Sequence, residues 1–291
     1  MFQDNDNPKL AILIDAENIS PRYIAMIMRE ASVIGTVKYK RIYGNFSGDS
    51  LNSWERAISE NAMIPIQQYN NTKGKNSSDS ALIIDAMDLL YTGSVDGFCL
   101  ITSDSDFTRL ATRLRESEKY VIGMGEQKAA KSFINACNRF IYLDLLMSQE
   151  KKNQKSKRKS GGTQPAPQQP AYSPAEKPQS KAAKKPTLQK PHAQGEGEFT
   201  ESGNEDFSGQ NLDVVRDAIE ALIDEKSDDE GWVFCGALGN LLIQRFPDFD
   251  VRNFGFKKFI PFVASLEGFE LQQRPSGSGG VSLVYIRNKE D

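Results

Sequence analysis

The sequence predicts an α/β domain, a parallel sheet flanked by helices, followed by a small winged helix-turn-helix domain. Three observations carry this expectation. Residues 9–149 alternate short apolar runs with amphipathic stretches, residues 151–198 hold 7 of the 13 prolines and a single aromatic, and helical spacing resumes at Leu212 before a glycine-rich hairpin. Strand–helix repetition with wholly apolar strands is the mark of a parallel sheet covered on both faces.

Element by element, Leu10–Ile14 reads as a buried strand with a helix from about Pro21. Val37–Tyr43 is a second strand and Leu51–Asn61 a second helix. A third strand follows over Met63–Tyr69, then a polar loop over 70–78 and a helix over 79–91. Phe98–Thr102 is a fourth strand, with a helix from about Phe107. Tyr120–Met124 and Phe140–Leu143 complete six strands. Further on, Leu212, Val215, Ile219 and Leu222 share one helical face. Helices are expected over Cys235–Phe246 and Phe254–Leu266, then a hairpin from Phe269–Arg274 to Val281–Ile286 across a Pro-Ser-Gly-Ser-Gly-Gly tip. Three helices and a hairpin wing give the winged helix.

These shifts divide the chain into residues 1–150, a linker over 151–207 and a domain over 208–291. The Lys-, Pro- and Gln-rich core of the linker lacks the apolar surface needed to offset its ordering entropy and reads as disordered. Charge follows the same division. Residues 1–150 carry 16 Lys+Arg against 19 Asp+Glu, 151–198 carry 11 against 3, and 199–291 carry 9 against 17. A basic strap thus separates two acidic blocks, within a net charge of −3. Its densest part is Lys151, Lys152, Lys155, Lys157, Arg158 and Lys159, which predicts salt-sensitive RNA attraction or a solubilising spacer.

What is absent narrows the chemistry. The start, Met-Phe-Gln-Asp-Asn-Asp, has neither the positive nor the apolar segment of a secretory signal, and no apolar run approaches a membrane span, so a cytoplasmic location is expected. Cys99, Cys137 and Cys235 are isolated among apolar neighbours and read as buried thiols. The single histidine, His192, lies in the linker. Histidine triads, histidine-ligated zinc and histidine acid–base schemes are therefore excluded, which leaves carboxylates, hydroxyls, lysines or a metal.

Carboxylates stand where a site is expected. The first strand ends in Asp15 and the fourth runs into Asp104 and Asp106, while Asp79 opens a helix. Ligand sites of open α/β sheets lie beyond the carboxyl ends of the strands. Crowded carboxylates repel and call for a cation, and Mg²⁺ or Mn²⁺ suits an all-oxygen set. Asp106 has a second reading as the cap of the helix starting at Phe107. Asp85, six residues beyond Asp79, faces about 120° away on a regular helix, which suits support as well as function. Glu17 is expected to be solvated. Lys75, in the loop before Asp79, is a candidate phosphate contact.

Three segments, Leu13-Ile-Asp-Ala-Glu-Asn-Ile19, Gly74 through Asp88, and Thr102-Ser-Asp-Ser-Asp-Phe107, in this order and spacing closely resemble the NYN family of the PIN-like nuclease fold, which includes LabA-like bacterial proteins. The resemblance spans residues 9–147. It implies a metal-dependent ribonuclease with Asp15, Asp79 and Asp104 as ligands and Asp106 beside them; Asn18, Asn45, Ser103 and Asp85 are weaker candidates around the site. Asn45 is a departure, since the family often places an Asp there. An amide oxygen brings no charge, so weaker metal binding is expected.

Gly231-Trp-Val-Phe234, Leu238-Gly-Asn-Leu-Leu242, Phe249 through Phe259 and the glycine wing resemble the LOTUS domain, also called OST-HTH, over residues 208–288. That family is similar to winged-helix RNA binders, and some members dock a helicase, so RNA or an RNA-processing protein is the implied partner. Arg252, Lys257 and Lys258 are the candidate phosphate contacts. Phe254, Phe256 and Phe259 fit the core side of one amphipathic helix. Two functions follow: hydrolysis of RNA phosphodiesters, or a catalytically weak RNA-binding scaffold that keeps the fold. A nucleotide-binding enzyme fits poorly, because the first strand–turn lacks Gly-x-Gly-x-x-Gly and no Gly-x-x-x-x-Gly-Lys-[Ser/Thr] loop is present.

Overall fold

The protein is seen in a computed structural model that describes residues 7–47, 49–68, 77–93, 95–159, 209–275 and 282–289. Six strands form the first sheet: β1 (Lys9–Asp15), β2 (Thr36–Gly44), β3 (Ile64–Gln67), β4 (Gly97–Ile101), β5 (Tyr120–Gly125) and β6 (Arg139–Tyr142). Their order is β3-β2-β1-β4-β5-β6, and every neighbouring pair is parallel. Connections wind outward in one direction from β1 and in the other from β4. The crevice of such a sheet opens between those two strands, at their carboxyl ends.

Alternation along β1 explains why both faces are covered. Ala11 and Leu13 join one apolar cluster, while Leu10, Ile12 and Ile14 join the other. The first cluster is covered by α3 (Ser77–Tyr91), α4 (Thr108–Glu116) and α5 (Lys131–Ala136) through Leu82, Ala86, Leu110, Leu114 and Phe133. The second is covered by α1 (Ile24–Ile34), α2 (Glu55–Glu60) and α6 (Leu143–Lys159) through Met26, Ile27, Ala31, Ala57 and Leu146. The helix expected from Pro21 begins as a 3₁₀ turn over Pro21–Tyr23, and the one expected over Leu51–Asn61 is a 3₁₀ turn over Asp49–Trp54 leading into α2.

Two differences from expectation concern the end of this domain. The sequence gives no sign of α5, a six-residue helix too short to show a period. Helix α6 continues through Lys159, so the dense Lys/Arg cluster is its last part and not the start of an irregular linker. The rest of the linker, from residue 160 to 207, lies outside the described residues.

The C-terminal domain holds α7 (Leu212–Lys226), α8 (Cys235–Arg245), α9 (Phe259–Ala264) and a three-stranded antiparallel sheet, β7-β9-β8, of β7 (Val233–Phe234), β8 (Phe269–Pro275) and β9 (Ser282–Asn288). Asn211 caps α7, its side-chain oxygen accepting from the N–H groups of Asp213 and Val214. The helix expected over Phe254–Leu266 is divided. A 3₁₀ turn over Val251–Phe254 ends at Gly255, whose φ of 87° stops it, and α9 begins only at Phe259. Phe254, Phe256 and Phe259 nonetheless all pack on the core, around Phe262. Their inward role holds, although they do not share one helix.

The two domains touch along β6, the sheet's edge. The Phe140 N–H donates to the Pro247 carbonyl (2.7 Å), and the Tyr142 hydroxyl donates to Asp248 (3.0 Å). Arg252 spans to Glu30 on α1 with two parallel hydrogen bonds of 2.8 and 2.9 Å and is gripped from its own side by Asp250. Arg139 reaches Asp250 at 3.4 Å. The forked guanidinium suits two-point pairing with a carboxylate. Arg252 is thus corrected from a phosphate contact to a domain-to-domain tie, because two carboxylates already occupy it.

Candidate metal centre

The loop after β1 is built around Asp15, which is 1% exposed. Its carboxylate accepts four hydrogen bonds: from the N–H groups of Glu17 (3.1 Å) and Asn18 (3.3 Å), the Asn18 amide (2.7 Å) and the Thr102 hydroxyl (2.9 Å). Burial pushes the Asp15 carboxyl up, while the bonds from Asn18 and Thr102 act against that. Thr102 follows β4, so this one side chain ties the ends of β1 and β4 together. Trp54 adds a third anchor, its indole N–H donating to the Ala16 carbonyl (3.3 Å).

Beyond β4 the chain turns at Asp104, whose carboxylate accepts from the Asp106 N–H (2.9 Å) and caps the turn Ser105–Phe107. The capping role considered for Asp106 therefore belongs to Asp104. The turn lies close against the end of β5. A Cβ on Gly125 would meet the Thr102 carbonyl at 2.5 Å and Ser103 Oγ at 2.9 Å, so a glycine is needed there. Ser103 is 8% exposed and accepts from the Glu126 N–H (2.9 Å), which fixes the loop and not a ligand.

Asp79, in the first turn of α3, meets this loop from across the crevice. Carboxylate oxygens of Asp79, Asp104 and Asp106 all lie within 4.8 Å of one another. Burial, then repulsion from Asp15, Asp104, Glu17 and Asp106, pushes the Asp79 carboxyl up to about 6. An all-oxygen set crowded enough to keep a proton at mildly acidic pH fits a hard divalent cation. Asp15 lies beside this set, its carboxylate accepting from four donors and repelling that of Asp79, while the exposed Asp106 joins Asp79 and Asp104.

The remaining candidates divide plainly. Asn18 belongs to the Asp15 network. Asp85 is held by Arg41 and by the hydroxyl of buried Tyr43, which makes it a brace between α3 and β2. Asn45 turns its oxygen to the Gln67 amide (2.8 Å) and the Ser47 N–H (3.2 Å). Lys75 lies outside the described residues. Lys257 and Lys258 are exposed ahead of α9. Glu17 is exposed, as expected, and it also accepts from Ser78 Oγ (3.1 Å) and adds to the field at Asp79. All three cysteines are buried and unbridged. Among the described residues no helix is long and apolar enough to cross a membrane.

Comparison with known proteins agrees with this architecture. The family model of the NYN domain matches residues 9–144, and that of the OST-HTH/LOTUS domain matches residues 211–281. No curated protein matches the chain. A solved structure of a protein of unknown function from Vibrio parahaemolyticus aligns with 48% of this chain and 96% of its own, at 18% identity and a TM-score of 0.41. The chain thus carries an NYN domain at residues 9–144, followed by an OST-HTH/LOTUS domain at residues 211–281.

Proposed function

We propose that the protein hydrolyses RNA phosphodiesters with Mg²⁺ or Mn²⁺ and that its C-terminal domain engages RNA or an RNA-processing protein. The observation that carries this reading is the meeting of Asp79, from α3, with Asp104 and Asp106, from the turn after β4, at the carboxyl end of a PIN-like parallel sheet. These three residues would hold the ion. When bound, it supplies Lewis-acid activation of water and neutralises charge that develops on the phosphodiester.

The chain's own residues prepare the place. Asp15 keeps its four donors fixed and, through Thr102, holds the loop that presents Asp104 and Asp106. Asp79 retains its proton up to about pH 6 while no cation balances its neighbours, so a bound cation displaces that proton. Glu17 and Asp15 deepen the negative field at Asp79. Each neutral substitution within the trio removes one ligand and part of the repulsion.

The test is incubation of end-labelled RNA with purified protein and Mn²⁺ or Mg²⁺, with a chelator and Asp79→Asn as controls. The expected result is cleavage abolished by both. Tight RNA binding without cleavage in any divalent metal would instead establish the scaffold reading, which the Asn45 departure favours.

A further inference from the structure

At the opposite end of the sheet from the acids, residues of both domains line a cleft of about 820 Å³. Tyr120 and Arg139, the first residues of β5 and β6, stand in its wall, whereas Asp15 ends β1 and Asp104 and Asp106 follow β4. Its volume falls in the ordinary range of small-ligand sites. Three arginines line it: Arg115 and Arg139 from the NYN domain and Arg245 from the other. Among the described residues the only lining carboxylate is Asp248, which already accepts from the Tyr142 hydroxyl (3.0 Å) and the Gly209 N–H (3.0 Å). A cationic hollow thus forms within a chain of net charge −3, partly from a domain that is acidic overall.

Its groups are also only partly used. Arg139 gives one terminal nitrogen to Asp250 at 3.4 Å, and its buried Nε has no hydrogen-bond partner. Arg115 spends one nitrogen on the carbonyls of Asn135 and Ala136. Forked guanidinium donors suit phosphate oxygens, and the exposed amides of Asn240 and Gln244 at the rim can both donate to and accept from a base edge.

We propose that this interdomain cleft binds one phosphate-bearing nucleotide unit, free or within an RNA strand, and does so without the metal centre. Arg115 and Arg245 come from different domains, so the site exists only while the domains are docked. Glu30, the partner of Arg252, holds that dock but does not line the cleft.

The experiment is fluorescence anisotropy of labelled tetrauridylate with the full chain in chelator, which silences any cleavage and separates this proposal from the nuclease reading. Arg115→Gln and Arg245→Gln are each expected to weaken binding about tenfold and to make the log–log salt slope shallower by about 0.7. Arg245→Lys, with the charge kept, should recover most of the loss. Glu30→Ala is the sharper variant. It removes a negative charge, so general attraction predicts tighter binding, whereas loss of the dock predicts weaker binding. Displacement of the probe by AMP identifies a free nucleotide as sufficient; displacement only by longer RNA identifies the strand. Wild-type failure to bind, unchanged affinity and slope in both glutamine variants, or tighter binding by Glu30→Ala would overturn the proposal.

Discussion

Replacing Asp79 by Asn should stabilise the ion-free protein at alkaline pH. The carboxyl is held at about 6 against an ordinary 3.8, by burial first and then by repulsion from Asp15, Asp104, Glu17 and Asp106. A group with a raised folded-state value binds its proton more tightly in the native state than in the unfolded one. Native stability therefore falls as pH rises from about 4 to about 6, and above that the full penalty applies. Two units correspond to an upper bound of about 3 kcal/mol, and the partial exposure of Asp79 reduces this to roughly 1–2 kcal/mol. Asn is nearly isosteric and carries no charge, so it should recover that amount. Urea unfolding in chelator at pH 8 and pH 4.5 measures the difference. The gain should be present at pH 8 and should shrink strongly at pH 4.5. Saturating Mn²⁺ should reverse the order at pH 8, because only the wild type gains the binding free energy in full. An Asn variant less stable than wild type at pH 8 without metal would refute the repulsion argument.

Three further outcomes follow from the same geometry. Divalent-ion affinity, followed by calorimetry, should fall as pH drops through about 6, because proton and cation compete for Asp79. Gly125→Ala should cost about 1–3 kcal/mol and also weaken metal binding, since its Cβ would press on the Thr102 carbonyl and displace the loop that carries Asp104; a thermal melt with and without Mn²⁺ checks both parts. Arg252→Ala removes the two-point partner of Glu30, which is 8% exposed, and leaves Asp250 to Arg139; it should cost roughly 2–3 kcal/mol and split unfolding into two transitions, with a single unshifted transition as the contrary result.

Much of the fold is legible in the sequence, because its apolar runs are long enough to show their period. Leu10–Ile14 and Phe98–Thr102 could only be buried strands, and an Asp placed after each pointed to the sheet's carboxyl edge. What the sequence hides is local or long-range. Lys131–Ala136 is too short for a period, and β7 is two residues whose pairing with β9 is set by tertiary packing. The Phe254–Leu266 stretch has helical spacing, yet Gly255 adopts a left-handed conformation that stops the turn, and no apolar pattern reports that. Within the site, position after a strand identified Asp15 but not its environment. Three of the donors that satisfy it are local, while the fourth, Thr102, arrives from 87 residues away. For the same reason Arg252 looked like an exposed phosphate contact: its partner Glu30 is 222 residues distant.

The account rests on one cation shared by Asp79, Asp104 and Asp106, and anomalous scattering from crystals grown with Mn²⁺ tests it most directly. A manganese peak within coordinating distance of all three carboxylates, lost in Asp79→Asn, is the predicted result. A peak bound elsewhere, or none at saturating Mn²⁺, would contradict it.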